Sequence, residues 1–299
     1  MVAHTTQPLL VTGASGHLGR SVLTHLLETV RIPASQLIAT TRNVAALADV
    51  AARGVTVRPA DFDDPSTLPA AFAGAKRLLL ISTDVLGIPG RRLQQHQQAI
   101  QAAVKAGVEH IVYTSLPDAE HANTLIAPDH AGTERLLADG PLSWTILRNN
   151  WYFENLFLSL PHVLASGQWV TASGEGRIAH IARDDIGRAA AAVLASNDSG
   201  RQTYTLTGAE SFSTAEIAQL VGEIAGRKIE VIHVPDTALI QGLTQAGLPE
   251  GLAAVIASFD TNIRNGGLAT ITADYAALTG QQPQRYPDWL AQNRTLIAA

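Results

Sequence analysis

Leu9-Leu10-Val11-Thr12-Gly13-Ala14-Ser15-Gly16-His17-Leu18-Gly19-Arg20 sets three glycines, spaced G-x-x-G-x-x-G, between a strand-length apolar run and a segment of helical period. In that context each glycine has a physical task. One permits a tight turn, one lets backbone come against a diphosphate, and one lets the helix pack close on the strand. The N–H groups of a helix start have no intrahelical partner and, together with the helix dipole, favour an anion there. The stretch predicts a dinucleotide site opened by Gly13, Ala14, Ser15, Gly16, His17 and Leu18, with His17 a loop side chain near the phosphates and not a catalyst. A tight strand-to-helix turn without a ligand is the plainer alternative.

Outward from this loop, short apolar runs alternate with longer segments of helical period, the pattern of a parallel sheet covered by helices on both faces. Strands are predicted over 9–12, 36–41, 55–60, 77–82, 110–114 and 142–147, with helices within 21–30, 44–53, 65–73, 91–106 and 129–138. After about residue 150 the rhythm changes. A helix over 152–166 and an extended segment over 169–172 precede a helix capped by Asp184 or Asp185 and running to Leu194. A strand over 202–207, a capping box at Ser213 to Glu216, a helix to Ala225, a strand over 229–234 and several short helices complete the chain. The fold class is α/β: a Rossmann-type, doubly wound parallel sheet with a smaller α/β C-terminal substrate lobe. Residues 1–150 form the nucleotide-binding domain, a segment near 175–205 returns to it, and 151–299 form mainly the substrate lobe.

Composition narrows the chemistry. The 299 residues include no cysteine, 46% are hydrophobic and 16% charged, and the formal net charge is −5. That is a folded chain without thiolate nucleophiles, disulfides or cysteine metal sites. The acidic balance gives no electrostatic footprint for nucleic acid or an anionic membrane. No apolar run nears the roughly 20 residues that span a bilayer, and residues 1–8 lack a basic leader pattern, so a cytoplasmic location is the default expectation. Ten histidines contain no His-Glu-x-x-His cluster, so no metal is expected, and Ser82, Thr114 and Ser115 lack the G-x-S-x-G elbow of a hydrolase.

The end of the second predicted strand separates NAD from NADP. A carboxylate there bonds the ribose hydroxyls of NAD, whereas an arginine accommodates the 2′-phosphate of NADP. Here the strand runs Ile38-Ala39-Thr40-Thr41-Arg42-Asn43, so Arg42 favours NADP, a solvated surface arginine being the bland reading. Asp61 and Phe62, after the third strand, are placed to meet the adenine; Asp61 could equally cap a helix.

The glycine loop, Thr41-Arg42-Asn43, Pro59-Ala60-Asp61-Phe62, Leu79-Leu80-Ile81-Ser82, Tyr113-Thr114-Ser115 and Leu147-Arg148-Asn149-Asn150-Trp151-Tyr152 together resemble an NmrA-like, atypical short-chain dehydrogenase/reductase. Within that family the chain looks most like bacterial type 2 NADPH:quinone oxidoreductases, with triphenylmethane-dye reductases near relatives. The likeness extends to Gly247-Leu248-Pro249-Glu250-Gly251-Leu252 and Gly266-Gly267-Leu268. It implies NADPH as cofactor and a small, quinone-like acceptor over the nicotinamide. Gly13 to Leu18 would hold the diphosphate, Arg42 the 2′-phosphate, and Ser82 with Thr83 the ribose side. Ser115 joins the cofactor-binding set, and Asn149, Trp151 and Tyr152 lie at the nicotinamide end.

Orthodox short-chain dehydrogenases use a Tyr-x-x-x-Lys pair, which this chain lacks: Pro117 follows Tyr113 by four residues, and Leu156 follows Tyr152. By the resemblance, the position of the supporting lysine in atypical members falls on His130, the candidate proton source, with Tyr152 a second candidate. A packed or solvated residue near Asp129 is the other reading of His130. Trp151 and Phe153 offer aromatic walls for a flat ring, and Gln94 to Gln98 read as a polar helix face. Reduction of a quinone tolerates a missing acid because the hydroquinone anion is a weak base. The alternatives are a same-fold reductase of dyes, enones or carbonyl compounds and a non-enzymatic NADP sensor. Oligomeric state stays open, a homo-oligomer included.

Overall fold

Leu9 to Val11 and Leu78 to Leu80 are short runs flanked by polar turns, and they become central strands, buried on both faces. In the computed structural model, which describes residues 4–298, the strands are β1 (Leu9–Val11), β2 (Leu37–Thr41), β3 (Thr56–Pro59), β4 (Arg77–Leu80), β5 (His110–Ser115), β6 (Ser143–Asn149), β7 (Gln168–Thr171), β8 (Arg177–Ile178), β9 (Arg201–Leu206), β10 (Phe212–Ser213) and β11 (Glu230–His233). Seven form one sheet in the order β3-β2-β1-β4-β5-β6-β9, every neighbour parallel. The chain builds outward from β1 to β3, then crosses to β4 on the other side of β1. That reversal opens a crevice at the carboxyl ends of β1 and β4.

Alternation along the strands divides the core. Leu79 and Val112 face helices His17–Thr24 and Arg183–Leu194, while Leu78, Leu80, Ile111 and Tyr113 face helices Leu68–Phe72, Arg91–Lys105 and Ala127–Ala138. Arg77, at the start of β4, is buried, and its guanidinium donates to the carbonyls of Val193, Leu194 and Asp198. A cation thus satisfies carbonyls left open at the end of helix Arg183–Leu194. The two-stranded β7-β11 and β8-β10 pairs lie outside the main sheet. Beside them, Phe153, Leu160, Val221, Tyr286 and Trp289 make a separate apolar cluster.

Several elements differ from the sequence expectation. Helix Arg183–Leu194 starts two or three residues earlier, with Ala182 as its cap, so neither Asp184 nor Asp185 caps it. Asp184 instead accepts from Ser21 and meets His25, and Asp185 is buried, accepting from the Tyr275 hydroxyl and the Gln284 N–H. Helix 91–105 carries Arg92, Gln95 and His96 inward while Gln94 and Gln97 are exposed, so the polar stretch 94–98 is split between the core and solvent. Phe153 is 1% exposed within the separate cluster and cannot wall a pocket. The final quarter includes a 15-residue helix, Glu250–Arg264, among its short ones. The Ser213–Glu216 box forms with both reciprocal bonds. Among the described residues no helix is long and apolar enough to cross a membrane.

The glycine turn sets the position of the first helix. Gly13 has φ +58°, and a Cβ on Gly19 would lie 2.4 Å from the Gly13 oxygen and 2.7 Å from Ala14 Cα. The obstacle is backbone, which a rotamer change cannot clear. Gly19→Ala is expected to destabilise the fold by roughly 1–3 kcal/mol, read as a lower urea midpoint at unchanged slope.

Candidate functional site

The loops leaving β1, β2, β3 and β4 at their carboxyl ends surround a cleft of about 370 Å3. Gly13, Ser15, Gly16, His17 and Leu18 form one wall. Gly16 caps helix His17–Thr24 with extended backbone and no side-chain bond, leaving the first N–H groups of the helix free of a capping side chain. Ser15 Oγ pairs with Thr41 Oγ1 at 2.8 Å, and Ala14 N–H donates to the Thr40 carbonyl at 3.0 Å, so the loop is pinned to the end of β2. Ala14 itself is fully buried beneath the loop.

Arg42, exposed at the end of β2, stands on the cleft with Asp61, Phe62 and Asp63. Asp63 is engaged by Arg91 at 2.6 Å and Gln95 at 2.7 Å, contacts that hold its carboxyl below the usual range. Arg42 makes no hydrogen bond or ion pair among the described residues. Ser82 and Thr83 line the opposite wall, their N–H groups held by Thr114 Oγ1 and His96 Nε2.

The remaining predicted residues lie off this wall. Ser115 donates to Glu134, which is gripped by Arg148 through two hydrogen bonds. Asn149 ends β6, and its amide N–H faces the Tyr152 hydroxyl at 3.5 Å. Trp151 packs on Phe259 with ring centroids 4.3 Å apart. Tyr152 carries the Arg183 guanidinium 5.2 Å above its ring, and Arg183 lines the cleft. Asp63, Gln95 and Arg183 are cleft residues that sequence reasoning missed. Gln95 belonged to an apparently solvated face, and Arg183 follows the glycine loop by more than 160 residues with no motif around it.

Two residues of the cleft carry a buried polar atom without a hydrogen-bond partner, Thr83 Oγ1 and Gln95 Oε1, and so does Asn149 at the end of β6, Oδ1. Buried groups of this kind ordinarily find partners, and those left open along a cleft suit a polar ligand. Together with the glycine turn, the open helix start and a free Arg42, they fit a phosphorylated dinucleotide. A second hollow of about 510 Å3 lies between the loop after β5 and the segment after helix Glu250–Arg264. Its walls include Asp118, Asn123, Arg148, Asn262 and Thr272 but no Phe, Tyr or Trp, and it presents no flat apolar face.

His130 does not face the cleft. It is 3% exposed, with Nε2 at 3.0 Å from Arg92 Nη2 and Nδ1 at 2.8 Å from the Tyr113 hydroxyl. Arginine can only donate, so Nε2 accepts and Nδ1–H donates to Tyr113. The same logic makes His96 accept from the Thr83 N–H at Nε2 and donate from Nδ1 to Thr133, whose hydroxyl donates to the Asp129 carbonyl. Burial and the Arg92 charge hold both rings neutral, His96 down to about 3 and His130 well below its ordinary value. The burial of His130 has a physical cause: the first turn of helix Ala127–Ala138 points inward at this position, where helix Arg91–Lys105 and β5 supply polar partners.

The NmrA-like family model matches residues 5–268. The chain is 37% identical to quinone oxidoreductase 2 of Escherichia coli K12 over 272 residues, 91% of this chain and 93% of the relative. A crystal structure of an NADPH-dependent quinone oxidoreductase of E. coli with NADPH superposes with a TM-score of 0.90 at 35% identity, covering 95% of this chain and 99% of that one. The Citrobacter sp. triphenylmethane reductase with NADP(H) gives 0.87 at 33% identity, over 95% and 99% of the two chains.

His130→Ala is expected to lower stability by about 3 kcal/mol, since it leaves the buried Arg92 and Tyr113 groups short of partners and opens a cavity. Single-turnover hydride transfer, followed by NADPH absorbance in the folded fraction, should stay within about twofold of the parent. The buried histidines also set an acid limit: His96 is lowered to about 3, and His110 and His180 to about 4. The unfolded chain binds their protons near pH 6.5 and the folded chain does not, so stability falls as pH drops from about 6.5 toward 4. Each ring contributes up to ~1.4 kcal/mol per pH unit, readable from urea midpoints at pH 7, 6 and 5.

Proposed function

The chain belongs to the NmrA-like family, and we propose that it is an NADPH-dependent reductase of quinones and similar flat conjugated acceptors, dyes included. One observation carries the reading: a left-handed glycine turn, an open helix start and an unpaired Arg42 share a single cleft. The same family, fold and relatives support an oxidoreductase that uses NADP. A small-molecule acceptor and a cytoplasmic place belong to the proposal.

In this reading Gly13, Ser15, Gly16, His17 and Leu18 hold the diphosphate and Arg42 the 2′-phosphate, with Ala14 anchoring the turn from below. Asp61 and Phe62 border the adenine side, and Ser82 with Thr83 the ribose. Ser115, Asn149, Trp151 and Tyr152 stand toward the nicotinamide end. When bound, NADPH supplies the hydride. The chain's part is positioning and desolvation, because the buried His130 has both ring nitrogens committed and is not available to the cleft. Burial pushes the pKa of Tyr152 above the usual tyrosine value, so its phenol stays protonated and can donate a hydrogen bond to an acceptor oxygen.

This machinery suits acceptors that ask little of an acid. A hydroquinone anion is a weak enough base to collect its proton from water, and a cationic triarylmethane dye needs only hydride to become neutral. A simple ketone would generate a far more basic alkoxide. NADPH oxidation measured with a panel of quinones, a triarylmethane dye and simple ketones should show turnover with the first two classes and little with the third. Tight NADP binding without turnover of any acceptor would instead mark a nucleotide sensor. Arg42→Ala should weaken NADPH by about 10- to 100-fold and NADH by less than about twofold, since only NADPH loses a charge-assisted phosphate contact. Equal losses would overturn the assignment of Arg42.

A further inference from the structure

We propose that Arg183 is the cation that holds the diphosphate of the bound dinucleotide, an inference that rests on the NADP reading of the cleft. Helix Arg183–Leu194 lies against helix His17–Thr24 with Gly187 facing the Ser21 side chain: a Cβ there would fall 2.1 Å from Ser21 Oγ. This contact brings the first turns of the two helices together. Asp184, the next residue, turns to the neighbouring helix and binds Ser21 and His25, both at 3.0 Å. Arg183 goes the other way, into the cleft beside Gly16, His17 and Leu18.

Its charge is left uncompensated. The guanidinium lies over the Tyr152 ring, and no carboxylate reaches ion-pairing distance among the described residues. Glu154 spends its carboxylate on the Arg183 backbone N–H, at 3.1 and 3.2 Å, and not on the guanidinium. A partly buried arginine held on an aromatic face, with its fork of N–H groups free, is a strong recognition element for a phosphate. Arg42 and Arg183 are the two arginines that line the cleft, one at the end of β2 and one beside the glycine loop. Two separated cations match the two separated phosphate groups of NADP: the 2′-phosphate and the diphosphate. The glycine loop contributes only neutral N–H groups, so the second cation would supply the full charge that a helix start lacks.

The test is equilibrium binding by titration calorimetry of NADP⁺, NAD⁺ and adenosine 2′-monophosphate to the parent, Arg183→Gln, Arg183→Lys and Arg42→Ala proteins. Arg183→Gln should weaken NADP⁺ and NAD⁺ alike by about tenfold or more, and leave adenosine 2′-monophosphate within about twofold. Arg183→Lys should recover part of the loss, which a fold defect would not allow. Arg42→Ala should give the reverse pattern, weakening NADP⁺ and adenosine 2′-monophosphate and sparing NAD⁺. Unchanged dinucleotide affinity in Arg183→Gln, even with reduced turnover, overturns the proposal, as does an equal loss for adenosine 2′-monophosphate. A parent protein that binds neither dinucleotide would defeat the cofactor reading itself, a result distinct from parent-like binding in Arg183→Gln.

Discussion

The approach of helix His17–Thr24 to the turn before it is the constraint on which the site depends. With a Gly19 Cβ barred by the Gly13 carbonyl at 2.4 Å, only bare backbone can lie there, and the helix begins as close to β1 as atoms permit. That closeness aims the open end of the helix at the crevice between β1 and β4. A related device recurs at Gly187, where the absent Cβ leaves room for the Ser21 side chain of the facing helix. Two missing methyl groups, 168 positions apart in the chain, therefore align a helix start and an arginine on one cleft. Larger residues would move the helices outward and separate those groups.

Behind the opposite wall the structure uses neutral hydrogen bonds where charge would be costly. The Thr83 N–H donates to His96, which donates to Thr133, which donates to the Asp129 carbonyl. Arg92 is buried beside them, its guanidinium meeting the acceptor nitrogen of His130. Protonating either ring would place a second positive charge against Arg92 in a region stripped of water. The rings consequently act as fixed donors and acceptors, His96 holding the Thr83 N–H and His130 tying Arg92 to Tyr113. A histidine in this role looks like a catalyst in sequence, because its residue type and its place near a family site are right. Its partners commit both ring nitrogens, and they are Arg92 of helix Arg91–Lys105 and Tyr113 of β5.

Local signals carried much of the fold. The glycine spacing, the leucine run of β4 and the capping box at Ser213 each depend on neighbours in sequence, and each was legible there. So was Arg42, whose position at a strand end follows from counting. The inward face of helix Arg91–Lys105 was not, because glutamine and histidine read as polar until their buried partners are known. Asp184 and Asp185 misled for a related reason: an acidic pair near a helix start resembles a cap, but tertiary donors from Ser21 and Tyr275 claim both carboxylates. Arg183 carried no signal at all, since its meaning comes from packing between segments far apart in the chain.

The distribution of charge ties the site to its chemistry. Of the carboxylates that line the cleft, Asp63 is engaged by Arg91 and Gln95 and Asp61 by the Asp63 N–H, while Asp84 stands exposed at the mouth. The guanidinium groups of Arg42 and Arg183 make no ion pair among the described residues, which leaves the cleft two cations for an anionic ligand. His130 is locked in its network, and the group beside Arg183 that keeps a proton is the Tyr152 phenol. A site built this way can position a phosphorylated hydride donor firmly while offering little proton chemistry. Acceptors that become stable on taking hydride ask least of such a site, because their reduced form can collect its proton from water.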